Sequence, residues 1–229
     1  MHLPNRQTDI LNLLKQTRSA SVKTLAEKLF VSEMTIRRDL KEMHALGLIE
    51  RTHGAVFLPE TTEEVSMFLR MAKNAKAKEK IATKALPLLP EFSTLFIDGS
   101  STALALVQRM NLDFKTVVTY NLQAALQLSK NEKAKLILLG GNVEPNSVST
   151  TGSWTVRQIK ELHFDLMICS TAAVIGEDIY ERSLEPKEIK YAALCQSKKK
   201  ILLVDKSKFQ ENGTYRVGCL KEFDMVITD

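Results

Sequence analysis

The sequence predicts an α/β protein: an N-terminal winged helix-turn-helix, followed by a larger open α/β domain. Three observations carry the prediction. Short helix-like segments fill the first 58 residues and end in a glycine-centred hairpin. From Ser93 onward, apolar runs of strand length alternate with helix-like segments. Composition and charge change where the two patterns meet. Residues 1–58 hold nine Lys/Arg against six Asp/Glu, whereas residues 59–229 hold 23 against 21. A short basic head thus precedes a nearly balanced body.

The head divides as 1–58, a linker and connecting helix as 59–78, and the second domain as 79–229. In the head, Asn5 is placed to cap a first helix with Ile10, Leu13 and Leu14 on its apolar face. Ser21 caps a second, with Val22, Leu25, Ala26 and Leu29 at i, i+3, i+4 and i+7. After the Phe30-Val31 turn, Ser32 caps a third helix that buries Ile36, Leu40 and Met43 and runs to about Leu46, where Gly47 ends it. Glu33, Met34, Thr35, Arg37, Arg38 and Lys41 are then left on or near exposed faces. Leu48–Arg51 and Ala55–Leu58 flank Thr52-His53-Gly54 as a two-stranded wing.

Pro59 to Glu64 reads as a polar linker. Arg70 to Lys84 reads as one helix with Lys73, Lys76, Lys80 and Lys84 on a solvated face; the alternative is added attraction for a polyanion. Strands are expected at Thr94–Ile97, Thr116–Thr119, Leu136–Leu139, Leu166–Cys169, Ile201–Val204 and Met225–Thr228. Helices are expected at Ala103–Arg109, Leu122–Leu128, Ser153–Leu162 and Pro186–Ser197. Runs rich in Ile, Leu and Val suit strands buried on both faces, so the sheet is expected to be parallel and Rossmann-like.

Composition excludes several classes. At 44% hydrophobic and 26% charged, the chain can bury a core. No apolar run approaches the ~20 residues of a membrane helix, and no apolar signal core follows Met1. Cys169, Cys195 and Cys219 are odd in number and unpaired in spacing, which argues for a reducing cytosol and against a disulfide framework or zinc ribbon. No metal or cofactor is called for.

Two constellations carry chemistry. A helix presenting Thr35, Arg37 and Arg38 after a short turn has the side chains and geometry to read a DNA major groove; Ser32, Lys41, and Arg51 and His53 on the wing could meet sugar-phosphate. The plain alternatives are a protein–protein module for the head and an unengaged turn residue for His53. In the body, Asp98-Gly99-Ser100-Ser101-Thr102 joins a strand to a helix. Gly99 permits a tight turn, and the following N–H groups and hydroxyls suit an anion. Asn121, Gly141, Glu185, Asp205 and Lys208 follow or border other strand ends, with Lys208 or Lys206 as a point charge for a phosphate and the acids and Asn121 as acceptors for sugar hydroxyls. For Lys206 a solvated surface position is the better reading. Trp154 and Tyr191 are expected in core or interface, Cys169 in core.

Val31-Ser32-Glu33-Met34-Thr35-Ile36-Arg37-Arg38-Asp39-Leu40, with Gly47-Leu48-Ile49-Glu50-Arg51-Thr52-His53-Gly54, resembles the DNA-binding head of the DeoR family of bacterial sugar-metabolism repressors. Asp98–Thr102, Thr119-Tyr120-Asn121, Gly140-Gly141, Leu162–Asp165, Glu185–Lys190 and Asp205–Phe209 resemble that family's effector domain, which has a sugar-isomerase-like fold. The resemblance departs in three places: Gly54 is followed by Ala55 rather than a second glycine, the Asp98–Thr102 loop is reordered, and Ser170–Val174 replaces a glycine-rich stretch. It implies a cytoplasmic, non-enzymatic repressor, homodimeric or homotetrameric, that binds double-stranded operator DNA and a phosphorylated sugar. It further implies phosphate contacts for Ser100, Ser101, Thr102 and Lys208, polyol contacts for Asp98, Asn121 and Glu185, and a neighbouring basic partner for Asp39. A sugar-phosphate isomerase-like enzyme and a DNA-binding scaffold with an empty pocket are the rival readings.

Overall fold

A computed structural model describes residues 5–46, 48–52, 54–58 and 66–229. The calls on Gly47, His53 and the 59–65 linker lie outside them. Contacts divide the chain into two compact units, Met1–Thr62 and Glu63–Asp229.

In the first unit, α1 (Asn5–Thr17), α2 (Val22–Leu29) and α3 (Glu33–Ala45) accompany β1 (Ser19–Ala20), β2 (Glu50–Arg51) and β3 (Val56–Phe57). Both expected serine caps form. Ser21 Oγ accepts from Thr24 N at 3.0 Å and Ser32 Oγ from Thr35 N at 3.2 Å. Each satisfies a backbone donor that the helix start leaves orphaned. The wing gains a third strand, since β3 pairs with both β1 and β2. Ile36, Leu40 and Met43 are buried as expected, but α1 turns differently. Leu11 is buried and Leu13 only half-buried, because the inward stripe runs Gln7, Ile10, Leu11, Leu14. The polar Gln7 hides that stripe in the sequence; its amide donates to Glu42 at 3.0 Å. Arg6 grips Asp39 with two nitrogens, Nη2 to Oδ1 at 3.0 Å and Nε to Oδ2. The pair ties α1 to α3 and gives the buried Asp39 its basic partner.

The second unit opens with α4 (Met67–Ala72) and α5 (Ala75–Ala85), not one helix. Asn74 breaks them at φ 55°, ψ 34°, with its side chain donating to Asp205 Oδ1 and Ser207 Oγ, both at 3.1 Å. Tertiary bonds thus hold a left-handed turn that a β-carbon disfavours. The solvated-face reading fits Lys76, Lys80 and Lys84, which are exposed.

Six strands form one parallel sheet: β4 (Thr94–Ile97), β5 (Thr116–Thr119), β6 (Lys135–Leu138), β9 (Phe164–Cys169), β12 (Ser197–Val204) and β14 (Met225–Thr228). Their order is β14-β12-β9-β4-β5-β6. Period two sorts the strand residues between two cores. Leu95, Ile97, Leu166, Ile168, Ile201 and Leu203 face one side with Ile81 of α5 and Ala103 and Leu106 of α6 (Ser101–Val107). Phe96, Met167, Cys169, Leu202 and Val204 face the other with Ile159 of α8 (Ser153–Lys160) and Ile189 and Ala193 of α9 (Leu184–Gln196).

The chain runs outward from β4 through β5, α7 (Leu122–Leu128) and β6. It then returns to the opposite flank of β4 to lay down β9, β12 and β14. The reversal lies between β4 and β9, and open α/β sheets bind ligands at the carboxyl ends of strands at such a point. Two small additions crowd that end. One is the hairpin β7 (Asn142–Glu144) and β8 (Ser149–Thr151); the other is the antiparallel set β10 (Ala173–Ile175), β11 (Asp178–Glu181) and β13 (Tyr215–Cys219).

Candidate functional site

The first unit offers the outer face of α3. Met34, Arg37, Arg38 and Lys41 are exposed at i, i+3, i+4 and i+7, and Thr35 is half-buried beside them. Arg37 pairs with Glu33 at 3.2 Å and Arg38 with Glu42 at 3.7 Å. Exposed i,i+4 pairs contribute only ~0.3–0.5 kcal/mol, so either arginine can exchange its partner for a phosphate or base. Ser32 and Thr35 share a hydroxyl–hydroxyl bond at 2.9 Å as part of the cap. Arg51 is exposed on the wing.

The second unit holds a cleft at the β4/β9 reversal. Its wall includes Asp98, Gly99, Ser100, Ser101 and Thr102 after β4, Ser170 and Thr171 after β9, and Asp205 and Lys208 after β12. Across from them stand Arg70 of α4, Lys73 and Asn74 of the break, Lys78 of α5, and Glu181 and Arg182 from the end of β11. With Lys190, the lining carries six basic side chains against three acidic ones. The imbalance leaves the cleft lining cationic.

Beneath the loop lies a buried ion cluster. Lys190 Nζ meets Asp98 Oδ2 at 3.2 Å and also contacts Glu181 and the Ser170 carbonyl. Burial alone would lower the Lys190 pKa; Glu181 and Asp98 more than offset it, and the net shift is upward, so the ammonium stays protonated. Asp98 is fully engaged. Its Oδ1 accepts from the Ser100 N–H at 3.1 Å and the Ser100 hydroxyl at 2.5 Å, and Oδ2 from the Ser170 N–H at 3.1 Å. Gly99 fits closely, since a β-carbon there would come within 3.1 Å of Ser149 Oγ and of Tyr120 Oη, and those side chains would have to give way.

The cations opposite have fewer counter-charges. Lys78 is buried, and its ammonium donates to the carbonyls of Arg70 and Lys73 at the end of α4, the latter at 2.6 Å. Burial pushes its pKa down to about 8; Asp205 pulls upward, while Lys208, Arg70 and Lys73 push further down. Lys208 is lowered too, by burial first, with Lys73 and Arg182 adding to it against Asp205 and Glu211. Glu211, behind the rim, takes Lys73 at 2.9 Å and Arg182 at 2.6 Å, and the Lys73 hydrogen bond lowers its carboxyl pKa.

Of the body residues singled out in the sequence, the cleft gathers Asp98, Gly99, Ser100, Ser101, Thr102, Asp205 and Lys208. Three others are not among its lining. Asn121 is fully buried, capping α7 through Ala124 N at 2.8 Å and donating to the Ser147 carbonyl and Ser149 Oγ. Gly141 lies against the Thr151 and Thr155 backbone and hydroxyl. Glu185 is exposed on the first turn of α9. Hydroxyls of the loop are also committed: Ser100 to Asp98 and the α6 cap, Ser101 to the Arg70 carbonyl at 3.2 Å. Lys206 is exposed, and Cys169 lies in the core. Trp154 and Tyr191 are not core residues. They are about half exposed, and Arg157 and Lys187 stand over their rings at 5.7 and 5.3 Å.

Sequence reasoning missed Arg70, Lys78, Glu181, Arg182 and Lys190. For Lys78 a signal existed: it shares i, i+3, i+4, i+7 spacing with the buried Ile81, Ala82 and Ala85. A lysine on an apolar stripe is a buried lysine. Among the described residues there is no His/Cys/Asp/Glu group able to hold a metal, and no helix long and apolar enough to cross a membrane.

Comparison with known proteins agrees with this division. Residues 6–62 match the DeoR-like helix-turn-helix domain and residues 73–229 the DeoR C terminal sensor domain. The chain is 33% identical to the glycerol-3-phosphate regulon repressor of Escherichia coli K12, over 100% of this chain and 92% of that one. It is 32% identical to the HTH-type transcriptional regulator GolR of Listeria innocua, over 98% and 89%, and 32% to the lactose phosphotransferase system repressor of Lactococcus lactis, over 100% and 92%. The backbone is also similar to ribose 5-phosphate isomerase A of Methanocaldococcus jannaschii, at TM-score 0.42 and 14% identity over 59% of this chain and 55% of that one, too weak a likeness to bear on chemistry. With both of its parts matched and relatives spanning nearly its whole length, the chain belongs to the DeoR family of transcriptional regulators.

Proposed function

We propose that this regulator is a cytoplasmic repressor of a carbohydrate-utilisation operon, controlled by a phosphorylated sugar bound in the cleft of the second unit. One observation carries the effector reading: six basic side chains converge on a lining with three acids, and burial first, with neighbouring cations adding to it, depresses the pKa of Lys78 and Lys208. A site in that condition gains most from a dianion. Lys208, Lys78, Arg70 and Arg182 serve the phosphate; Ser101, Thr102 and the Gly99 backbone border it. Asp205 is placed for the sugar hydroxyls. Asn121 and Gly141 serve the fold instead of the ligand, and Glu185 is exposed outside the cleft lining. The relatives' names, which specify glycerol-3-phosphate and a lactose phosphotransferase system, support the same class.

Thr35, Arg37, Arg38 and Lys41 meet double-stranded operator DNA, with Arg51 and His53 on the wing. One small head contacts few bases, so a homodimer or homotetramer reads repeated half-sites. Coupling runs through α4. That helix follows the linker, lends Arg70 to the cleft and has its last carbonyls held by Lys78. An anion that engages Lys78, Arg70 and Lys73 bears on the same segment, and reciprocity requires DNA and effector to alter each other's affinity by one factor. An isomerase would need a free base beside the bound carbon; Lys190 occupies Asp98 and Glu181, which leaves Asp205 as the lining carboxylate that the product assay below tests.

The test is a thermal-shift screen of sugar phosphates with parallel NMR detection of product. A melting shift without turnover supports the sensor; product identifies an enzyme; no shift with any sugar phosphate refutes the reading. Lys208→Ala is expected to keep operator affinity and lose the effector response. Unchanged release of DNA at the same effector concentration would remove Lys208 from the site.

A further inference from the structure

The first unit leaves two large apolar side chains exposed among its described residues, and both flank the start of α3. Phe30, in the turn before the helix, is 93% exposed; Met34, in the first turn, is 78% exposed. Every other large apolar side chain described there is at least half-buried. Phe30 also sits at φ 54°, ψ 43°, a conformation unfavourable for a bulky residue. The Phe30 backbone closes α2, its N–H donating to the Ala26 carbonyl, but neither exposed side chain adds to the buried core.

Met34 stands on the same helix face as Arg37, Arg38 and Lys41, one turn nearer the N-terminus. The leading turn of a recognition helix lies nearest the base edges, while cations further along reach backbone and guanine. A thioether can neither donate strongly to a base nor pair with a phosphate. In the major groove the one apolar feature offered by any base is the thymine C5-methyl group. A flexible, unbranched side chain adapts well to such a contact.

We propose that Met34 is a specificity-determining residue, reading a thymine methyl group in each operator half-site. This rests on α3 being the recognition helix. The test uses the full chain and a site enriched from random double-stranded DNA, with each thymine replaced in turn by deoxyuridine, which lacks only the methyl group. In the wild type, one thymine per half-site should show about fourfold weaker binding on replacement, the effect of withdrawing one methyl group from a contact. Met34→Ala should weaken binding to the thymine site by a similar factor and bind the thymine and deoxyuridine sites equally. Its melting temperature should stay close to the wild type, because the side chain is 78% exposed in the fold. Met34→Gln should shift the enriched sequence at that position alone. If no sequence is enriched, both the recognition-helix reading and this assignment fall. If a site is enriched but no replacement matters, or if Met34→Ala still discriminates thymine from deoxyuridine, the assignment of Met34 alone is overturned.

Discussion

Raising the pH from 7 to 9.5 should weaken anion binding in the cleft, and Lys78 sets the size of the effect. Burial lowers its pKa to about 8, below the ordinary 10.5. A bound dianion restores the charged form, so binding above pH 8 must take up a proton. At pH 7 about a tenth of Lys78 is neutral and at pH 9.5 nearly all, which costs about 30-fold in affinity, or about 2 kcal/mol, from this lysine alone. Lys208, lowered in the same direction, adds to the fall. Sulfate is the right probe because its charge is constant across this range. Titration calorimetry at fixed ionic strength, in two buffers of different ionisation enthalpy, gives both affinity and protons taken up. Lys78→Arg, charged throughout, should flatten the profile. The sign for unfolding is opposite. The unfolded chain holds this proton more tightly than the native one, so the ligand-free protein gains stability from Lys78 between about pH 8 and 10.5. Affinity that is flat or rising from pH 7 to 9.5 would refute the argument that buried, closely spaced lysines make the site.

Three further outcomes separate structure from ligand and from DNA. Gly141→Ala would place a β-carbon 2.1 Å from Thr155 Oγ1 and 2.5 Å from the Thr151 carbonyl; overpacking should cost ~1–3 kcal/mol in urea melts, with sulfate affinity unchanged in the folded fraction. Asn121→Ala removes the α7 cap and two further hydrogen bonds, so a loss of ~2 kcal/mol or more is expected, again without weaker anion binding. Arg38→Ala should cost ~1–3 kcal/mol if the guanidinium meets a base, and Lys41→Ala should reduce the salt slope by about one if the ammonium meets a phosphate; fluorescence anisotropy across a salt series measures both.

Much of the sheet was legible because burial on both faces leaves an unmistakable record. Thr94–Ile97, Thr116–Thr119 and Met225–Thr228 form strands at the expected bounds, and Leu122–Leu128 the expected helix. Ser21 and Ser32 were readable as caps because a hydroxyl before an apolar-periodic run has a local job. What escaped depends on distant partners. The α4–α5 break has no glycine or proline, and Asn74 adopts its conformation through Asp205 and Ser207, more than 130 residues away. Strands of three residues such as β7 and β10 carry too few positions to show a period. Asn121 and Glu185 resembled ligand residues because polar side chains beside strand ends serve helix caps and solvent equally well. Arg182 gave no local sign at all, for its place comes from the β11 register and its partner Glu211.

The cleft draws its two halves from parts of very different standing. Its floor, the Asp98–Lys190–Glu181 cluster, is interior to the protein, and any change there disturbs three segments at once. Its rim, supplied by Arg70, Lys73, Arg182 and Lys208, belongs to short connecting pieces outside the sheet. On the proposed reading of the cleft, descendants of this chain can trade one metabolite for another by rim substitutions over an unaltered foundation, and a new sensory preference need not begin with a loss of foldability.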